Sequence, residues 1–379
     1  MIETGRLLEQ ASGRTGLSDF GEESFLDPLS RVVDSINRDC RLTPAGEQAV
    51  PEMLVAQLVN RLEVESWYAR HPEIEDERIV APVFTASLPR TGTTALGFIL
   101  AQDPMTRVLR NWEAYHPCPP PEAATEHDDP RIASAQKESD ALEALVPELV
   151  NLVPRSITGP EECYIIKMYA FSAYGYDAII NVPSYIEWLQ SSRDALLVGY
   201  RYHRRVLKLL QWRCPPRRWS LRTPEHLFNM EAIDEVYPDA QFIMTHRDPV
   251  KALPSLCSLM YEIRRAHVMN PEPEAHGQRQ QEYWAIAMES ALAFRDRVGE
   301  GRFFDISHKR QIADPAEQIR PLYEKLGWDY DDGLTARIRR WQEGYPRRKN
   351  PISPSSFGLD PEAITQRYRS YSERFAAFL

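Results

Sequence analysis

The sequence predicts an α/β fold: a mostly parallel sheet flanked by helices, with a helical region before it and a helical insert within it. Three observations carry that reading. Four short, β-rich apolar stretches each run through a turn into a helix-like stretch, the alternation that builds parallel sheets. Further helical stretches separate these units. Three of the four strand ends carry an arginine, Arg90, Arg222 and Arg247.

The elements follow in order. Residues 1–77 read as a helical N-terminal region packed on a main domain of 78–379, whose helical insert spans about 131–213. In "EQAVPEMLVAQLVNRLEVESWYARHPE" the apolar positions recur at helical spacing, and Pro51 fits a first turn. Ile79–Leu88 is short, β-rich and apolar, which predicts a buried strand. The next helix ends at Asp103-Pro104. Tyr115–Pro130 is proline-rich and predicts a loop. Helices are expected over Ile132–Leu145 and as one long rod from near Pro183 to before Cys214. "RWSLRTPEHLFNM", Gln241–His246 with its following helix, and "GRFFDISHKR" with "PAEQIRPLYEKLG" complete the set.

Composition narrows the function classes. The chain has 379 residues and is 43% hydrophobic, enough for one large domain. No apolar run reaches the roughly 18 residues that span a bilayer, and the N-terminus has no signal-peptide core. A cytoplasmic protein without a transmembrane segment is the expectation. The five cysteines are scattered without a C-x-x-C pair, which predicts reduced thiols and no zinc site. A net charge of -10 argues against broad nucleic-acid binding.

The stretch "PRTGTT", Pro89–Thr94, is the sharpest chemical signal. Gly92 permits a tight turn, and the helix behind it favours an anion at its N-terminus. Thr91, Thr93 and Thr94 bring hydroxyl donors, and Arg90 brings a charged fork of N–H groups. The familiar nucleoside-triphosphate loop has an earlier glycine and a lysine after the last one. Here Ser87 stands where that glycine would, and no lysine follows Gly92. Strands that would end in metal-binding carboxylates end instead in Arg222-Thr223 and His246-Arg247. A second motif, "HRDPVKALPS", sets Arg247 at a strand end and Ser255 two helical turns on. It reads either as a second phosphate site or as an Arg247–Asp248 pair capping a helix.

Together these residues resemble the sulfotransferases that use 3′-phosphoadenosine 5′-phosphosulfate (PAPS). "PRTGTT" matches their 5′-phosphosulfate loop, and Arg247 with Ser255 matches their 3′-phosphate motif. "LRTPEHL" (Leu221–Leu227), "GPEEC" (Gly159–Cys163) and "FGLD" (Phe357–Asp360) are similar to segments of a bacterial branch. The resemblance runs from about Ile79 to the C-terminus. It implies a P-loop-like sulfotransferase fold and metal-independent, in-line sulfuryl transfer to a hydroxyl, with adenosine 3′,5′-bisphosphate as product.

The resemblance also implies roles. Arg90, Thr91, Gly92, Thr93 and Thr94 hold the phosphosulfate, and Arg222 helps neutralise the leaving group. Arg247 and Ser255 fix the 3′-phosphate, with Arg347 and Arg348 closing over it; a solvated basic loop is the alternative for that pair. The general base is His226, Glu225, Glu162 or His116. The aromatic ring expected after Thr-Thr is Ala95, and His308 stands where a base-contacting tyrosine would, so the adenine stack is open. The acceptor is a small-molecule, lipid or glycolipid hydroxyl, and a homodimer is an open alternative. Two rivals stand beside this reading: a divergent P-loop kinase and a catalytically silent nucleotide-binding protein.

Overall fold

The computed structural model describes residues 1–145, 156–214, 217–269, 272–345 and 352–379. Five parallel strands form one sheet: β1 Val83–Thr85, β2 Thr106–Val108, β3 Arg218–Arg222, β4 Gln241–His246 and β5 Phe303–Ser307. Their order is β2-β3-β1-β4-β5. β1 is central, with Thr85 opposite Arg222 on one side and Ile243 on the other. All three of its residues are buried, the reason this stretch reads as an unbroken apolar run.

The strand expected over Ile79–Leu88 is thus shorter. Val80 is exposed, and Ala81 adopts φ 41° with its N–H on the Asp239 carboxylate at 2.6 Å. The strand β2 has no counterpart among the four expected ones. Its central Arg107 hides the β pattern, because a charge stands where an apolar residue would. Burial is met by an ion pair to the equally buried Glu113 at 2.8 Å and by the Trp219 ring face.

Three helices precede the sheet: α1 Thr4–Thr15, α2 Leu26–Asp39 and α3 Pro44–Arg70. Thr43 caps α3 by accepting the Gly46 N–H at 3.0 Å, and Pro44 occupies its first turn. Pro51 therefore lies inside the helix, not in its first turn as the sequence suggested. Leu7, Val32, Leu54 and Leu58 share one apolar cluster with Phe171, Tyr176 and Tyr185.

The remaining helices follow the strands and fill the connections. α4 Thr93–Leu100 leaves β1, and α5 Asn111–Tyr115 leaves β2. Next come α6 Pro130–Leu145, α7 Tyr164–Lys167, α8 Gly175–Ile180, α9 Pro183–Ser191 and α10 Arg193–Gln211. The long rod expected from Pro183 is thus two helices. Ser192 breaks it with an extended backbone, and its hydroxyl caps α10 at the Ala195 N–H. α11 Met230–Val236 follows β3, and α12 Pro249–Arg265 follows β4. α13 Pro273–Val298 leads to β5. α14 His308–Ala313, α15 Pro315–Leu326, α16 Asp332–Gly344, α17 Pro361–Arg367 and α18 Arg369–Arg374 complete the described chain. No described helix is long and apolar enough to cross a membrane.

One prediction tests the buried edge of the sheet. Glu113→Ala strands the Arg107 guanidinium in the interior without its carboxylate. Breaking such a pair costs about 3–5 kcal/mol. The urea midpoint followed by circular dichroism should fall accordingly.

Candidate active site

The loops leaving β1, β3, β4 and β5 meet at one edge of the sheet, beyond the carboxyl ends of the strands, where open parallel sheets bind ligands. Past Ala86 the β1 chain leaves the ladder, and side chains replace the backbone bonds. Ser87 Oγ accepts the Thr245 N–H at 2.7 Å. Thr91 Oγ1 donates to the Leu88 carbonyl at 2.6 Å and lies 2.6 Å from Thr245 Oγ1. Thr91 is fully buried. Its hydroxyl therefore ties the loop to β4, which corrects the expectation that it donates to a phosphate.

Two left-handed residues flank Thr91: Arg90 at φ 66° and Gly92 at φ 97°. At Gly92 a Cβ would stand 2.9 Å from His308 Cδ2, so both conformation and space call for glycine. The Gln311 amide donates to the Gly92 carbonyl at 3.1 Å. Behind the turn, α4 starts without a side-chain cap, and Gly92, Thr93 and Thr94 line the cavity described below.

The two predicted anion motifs touch each other. Arg90 Nε donates to Ser255 Oγ at 3.1 Å, and Arg247 Nη1 donates to the Arg90 carbonyl at 2.8 Å. Asp248 caps α12 through the Val250 N–H at 2.9 Å, so it is the aspartate, and not Arg247, that serves the helix. His308 faces the same space. Burial, then Arg247 and Arg90, push its imidazole down to about 4, so it is neutral at neutral pH.

On the other flank stands Arg222, at the end of β3. Its Nη2 donates to the Pro160 carbonyl at 2.9 Å, and its Nη1 lies 3.1 Å from Glu162 Oε1 and 3.4 Å from Thr94 Oγ1. The Cys163 N–H returns a bond to the Arg222 carbonyl at 2.9 Å. This double clamp sets "GPEEC" against the strand end and turns Glu162 into the cavity. Burial raises the Glu162 carboxyl; Arg222 opposes the shift, and Glu161 and Glu225 add to it, leaving it pushed up to about 7.

Of the other base candidates, Glu225 and His116 also line the cavity and His226 does not. His226 is fully buried, with Nδ1 2.8 Å from Tyr200 Oη and its ring edge-on to Phe84. Burial holds its imidazole well below the ordinary range, and it does not line the cavity. His226 is thus a core residue, and its assignment as the base is corrected. Glu225 is buried with both oxygens engaged, one by Lys167 Nζ at 2.5 Å and one by the Tyr174 N–H at 2.7 Å. His116 lies at the cavity rim, 3.2 Å from Glu138. His246 is bonded to Asp305 at 2.8 Å and stacked on Phe375. Arg347 and Arg348 lie outside the described residues. Among the described residues no His, Cys, Asp or Glu cluster is placed to hold a metal ion.

Lys167 and Tyr174 were missed by sequence reading. The available signal was a lysine closing the apolar run "CYIIK", a charge that must find a carboxylate if the run is buried.

A cavity of about 1070 Å³ unites these groups. One lobe holds Arg90, Gly92, Thr94, Arg222, Arg247 and His308. α3, α12 and α13 bring apolar side chains to the cavity wall, Val50, Met53, Leu256, Met260, Ile263 and Trp284, which make up an apolar lobe. Glu162 also lines it, bonded to Arg222 of the first lobe.

Comparison with known proteins agrees with this geometry. The sequence model of the sulfotransferase family matches residues 82–332. The crystal structure of sulfotransferase STF9 from Mycobacterium avium superposes with a TM-score of 0.91 at 30% identity, covering 99% of this chain and 97% of that one. Sulfotransferase STF1 from Mycobacterium tuberculosis H37Rv gives 0.87 at 27% identity, covering 97% and 99%. The omega-hydroxy-beta-dihydromenaquinone-9 sulfotransferase Stf3 of Mycobacterium bovis is 26% identical over 162 residues. That stretch is 42% of this chain and spans 42% of the relative's length.

The packing of His226 predicts a stability effect without a catalytic one. His226→Phe should cost about 0.5–1.5 kcal/mol by removing the bond between its imidazole and the Tyr200 hydroxyl. Adenosine 3′,5′-bisphosphate affinity in calorimetry should stay within about threefold of the parent, as for a site remote from the ligand.

Proposed function

Because the chain belongs to the sulfotransferase family, we propose that it moves the sulfuryl group of PAPS to the hydroxyl of a lipid-like acceptor, with Glu162 as general base. The observation that carries this is the paired cradle: Arg90 bonded to Ser255 and Arg247 bonded to the Arg90 carbonyl, opening onto an apolar lobe. Two linked cationic sites suit a nucleotide with a phosphate on its 3′ position and a phosphosulfate on its 5′ position. The glycine cradle at Gly92 fits that group.

PAPS supplies the sulfuryl group, whose sulfur exchanges its bond to the phosphate oxygen for one to the acceptor oxygen. The acceptor proton passes to a Glu162 oxygen. Arg222 and Arg90 stabilise the charge left on the phosphate, a role in which fixed donors are worth most away from water. Arg222 also holds Glu162 through Nη1, so one side chain serves both leaving group and base. The elevated carboxyl suits the task, since a base near the working pH combines ionised population with proton affinity. Val50, Met53, Leu256, Met260 and Ile263 favour an acceptor with an apolar body. The mycobacterial relative named for an omega-hydroxy menaquinone derivative supports the same class.

The sign of the pH dependence follows from Glu162. Its basic form grows as pH rises, so kcat/KM should climb with unit slope and level off above about 7. Glu162→Gln should remove that limb and lower kcat/KM by about 10²–10⁴. Donor binding has its own test. Arg90→Ala and Arg247→Ala should each weaken adenosine 3′,5′-bisphosphate by about tenfold or more in calorimetry, the scale of one charge-assisted bond. Unchanged binding in both variants would overturn the donor assignment.

A further inference from the structure

Tyr174 stands at the start of α8, and Glu225, which accepts its backbone N–H, is close enough to Glu162 to raise that carboxyl. It is 7% exposed and lines the cavity. Its ring is stacked on Phe228 at 4.8 Å, 12° from parallel, and meets the Tyr283 ring edge-on at 5.4 Å. Its backbone N–H is pinned by the Glu225 carboxylate, which Lys167 holds from the other side. The residue is thus fixed at the ring and at the main chain. Its hydroxyl, however, takes part in no hydrogen bond with any described residue.

A phenylalanine would make the same ring contacts. Tyr174 lines the cavity and its hydroxyl is not among the fully buried unpaired groups, so ring packing alone does not account for tyrosine. Burial also holds this phenol well above its ordinary range, so it stays protonated and able to donate. Donation to the attacking oxygen would lower its nucleophilicity toward sulfur. The hydroxyl therefore suits a different atom of the acceptor.

We propose that Tyr174 Oη donates a hydrogen bond to a second oxygen of the acceptor, close to the hydroxyl that is sulfated. The acceptor class is then an apolar chain whose reacting end carries two oxygens, as in a vicinal diol or a sugar-headed lipid, and not a plain alkanol. This rests on the acceptor lobe assigned above and leaves the donor site untouched.

The test compares decanol with decane-1,2-diol on the full chain. Binding of each is measured by calorimetry with adenosine 3′,5′-bisphosphate present, so no turnover is required. The parent protein should bind the diol roughly tenfold more tightly, the worth of one buried hydrogen bond. Tyr174→Phe should bind both alike while keeping its bisphosphate affinity and melting temperature. Where sulfation is measured, the variant should raise KM for the diol with kcat little changed. Equal binding of both alcohols by the parent, binding of neither, or a preference that survives in Tyr174→Phe would each overturn the proposal. Loss of bisphosphate binding in the parent would instead overturn the donor reading.

Discussion

The bond on which the reacting edge depends joins two neighbouring strand ends. β1 and β4 pair through backbone groups as far as the Ala86 N–H on the Ile243 carbonyl. Beyond that point hydroxyls take over: Ser87 Oγ receives the Thr245 N–H, and Thr91 and Thr245 share a contact of 2.6 Å. The backbone is thereby released from the sheet while staying anchored to it. Only then can residues 88–92 turn through two left-handed conformations. Such conformations cost free energy and persist only where surrounding bonds over-determine them. Loss of the hydroxyl pair would relax the turn, and with it the spacing of Arg90 from Ser255.

The second constraint is charge. Three guanidinium groups reach one cavity, yet two of them are held by carbonyl and hydroxyl oxygens. Arg222 forms an ion pair with Glu162. A nucleoside-triphosphate kinase site needs carboxylates around a metal. The sign of the charge is reversed here, which suits an anion that brings its own negative charge to the cradle. Glu162 fits this arrangement because burial opposes its ionisation and outweighs Arg222. A carboxyl left fully ionised by its arginine would hold a proton too weakly to act as an effective base.

Much of this was legible in the sequence, for a physical reason. The turn at Gly92, the capping Asp248 and the arginines at strand ends are local features, and local sequence dictates them. The same holds for β4, whose bounds match the expected Gln241–His246. What was not legible depends on contacts between distant segments. β2 escaped notice because Arg107 is made tolerable by Glu113 and Trp219, neither of which its own strand contains. His226 looked catalytic because it follows Arg222 closely. The backbone after Thr223 enters a short 3-10 turn that carries the imidazole into the core against Tyr200 and Phe84. Glu162 could be seen but not ranked above its rivals. Its advantage lies in the clamp between Pro160, Arg222 and Cys163, which joins segments about sixty residues apart.

The division between local and distant determinants also divides the two substrates. The anion cradle is built from strand-end loops, each spelled by a short run of sequence and locked to the sheet. The apolar lobe is built from faces of α3, α12 and α13, which lie far apart in the chain and share no backbone ladder with the cradle. A change at Met53 or Met260 alters the shape offered to an acceptor without touching Thr91, Thr245 or Arg247. The halves are joined at Glu225, which accepts the Tyr174 N–H, and at Ser255 of α12, which accepts from Arg90. Lys167 holds the Glu225 carboxylate by an ion pair within the interior. Under the proposed function, acceptor choice can therefore vary on this scaffold while donor chemistry stays constant, provided the Lys167–Glu225 pair stays intact.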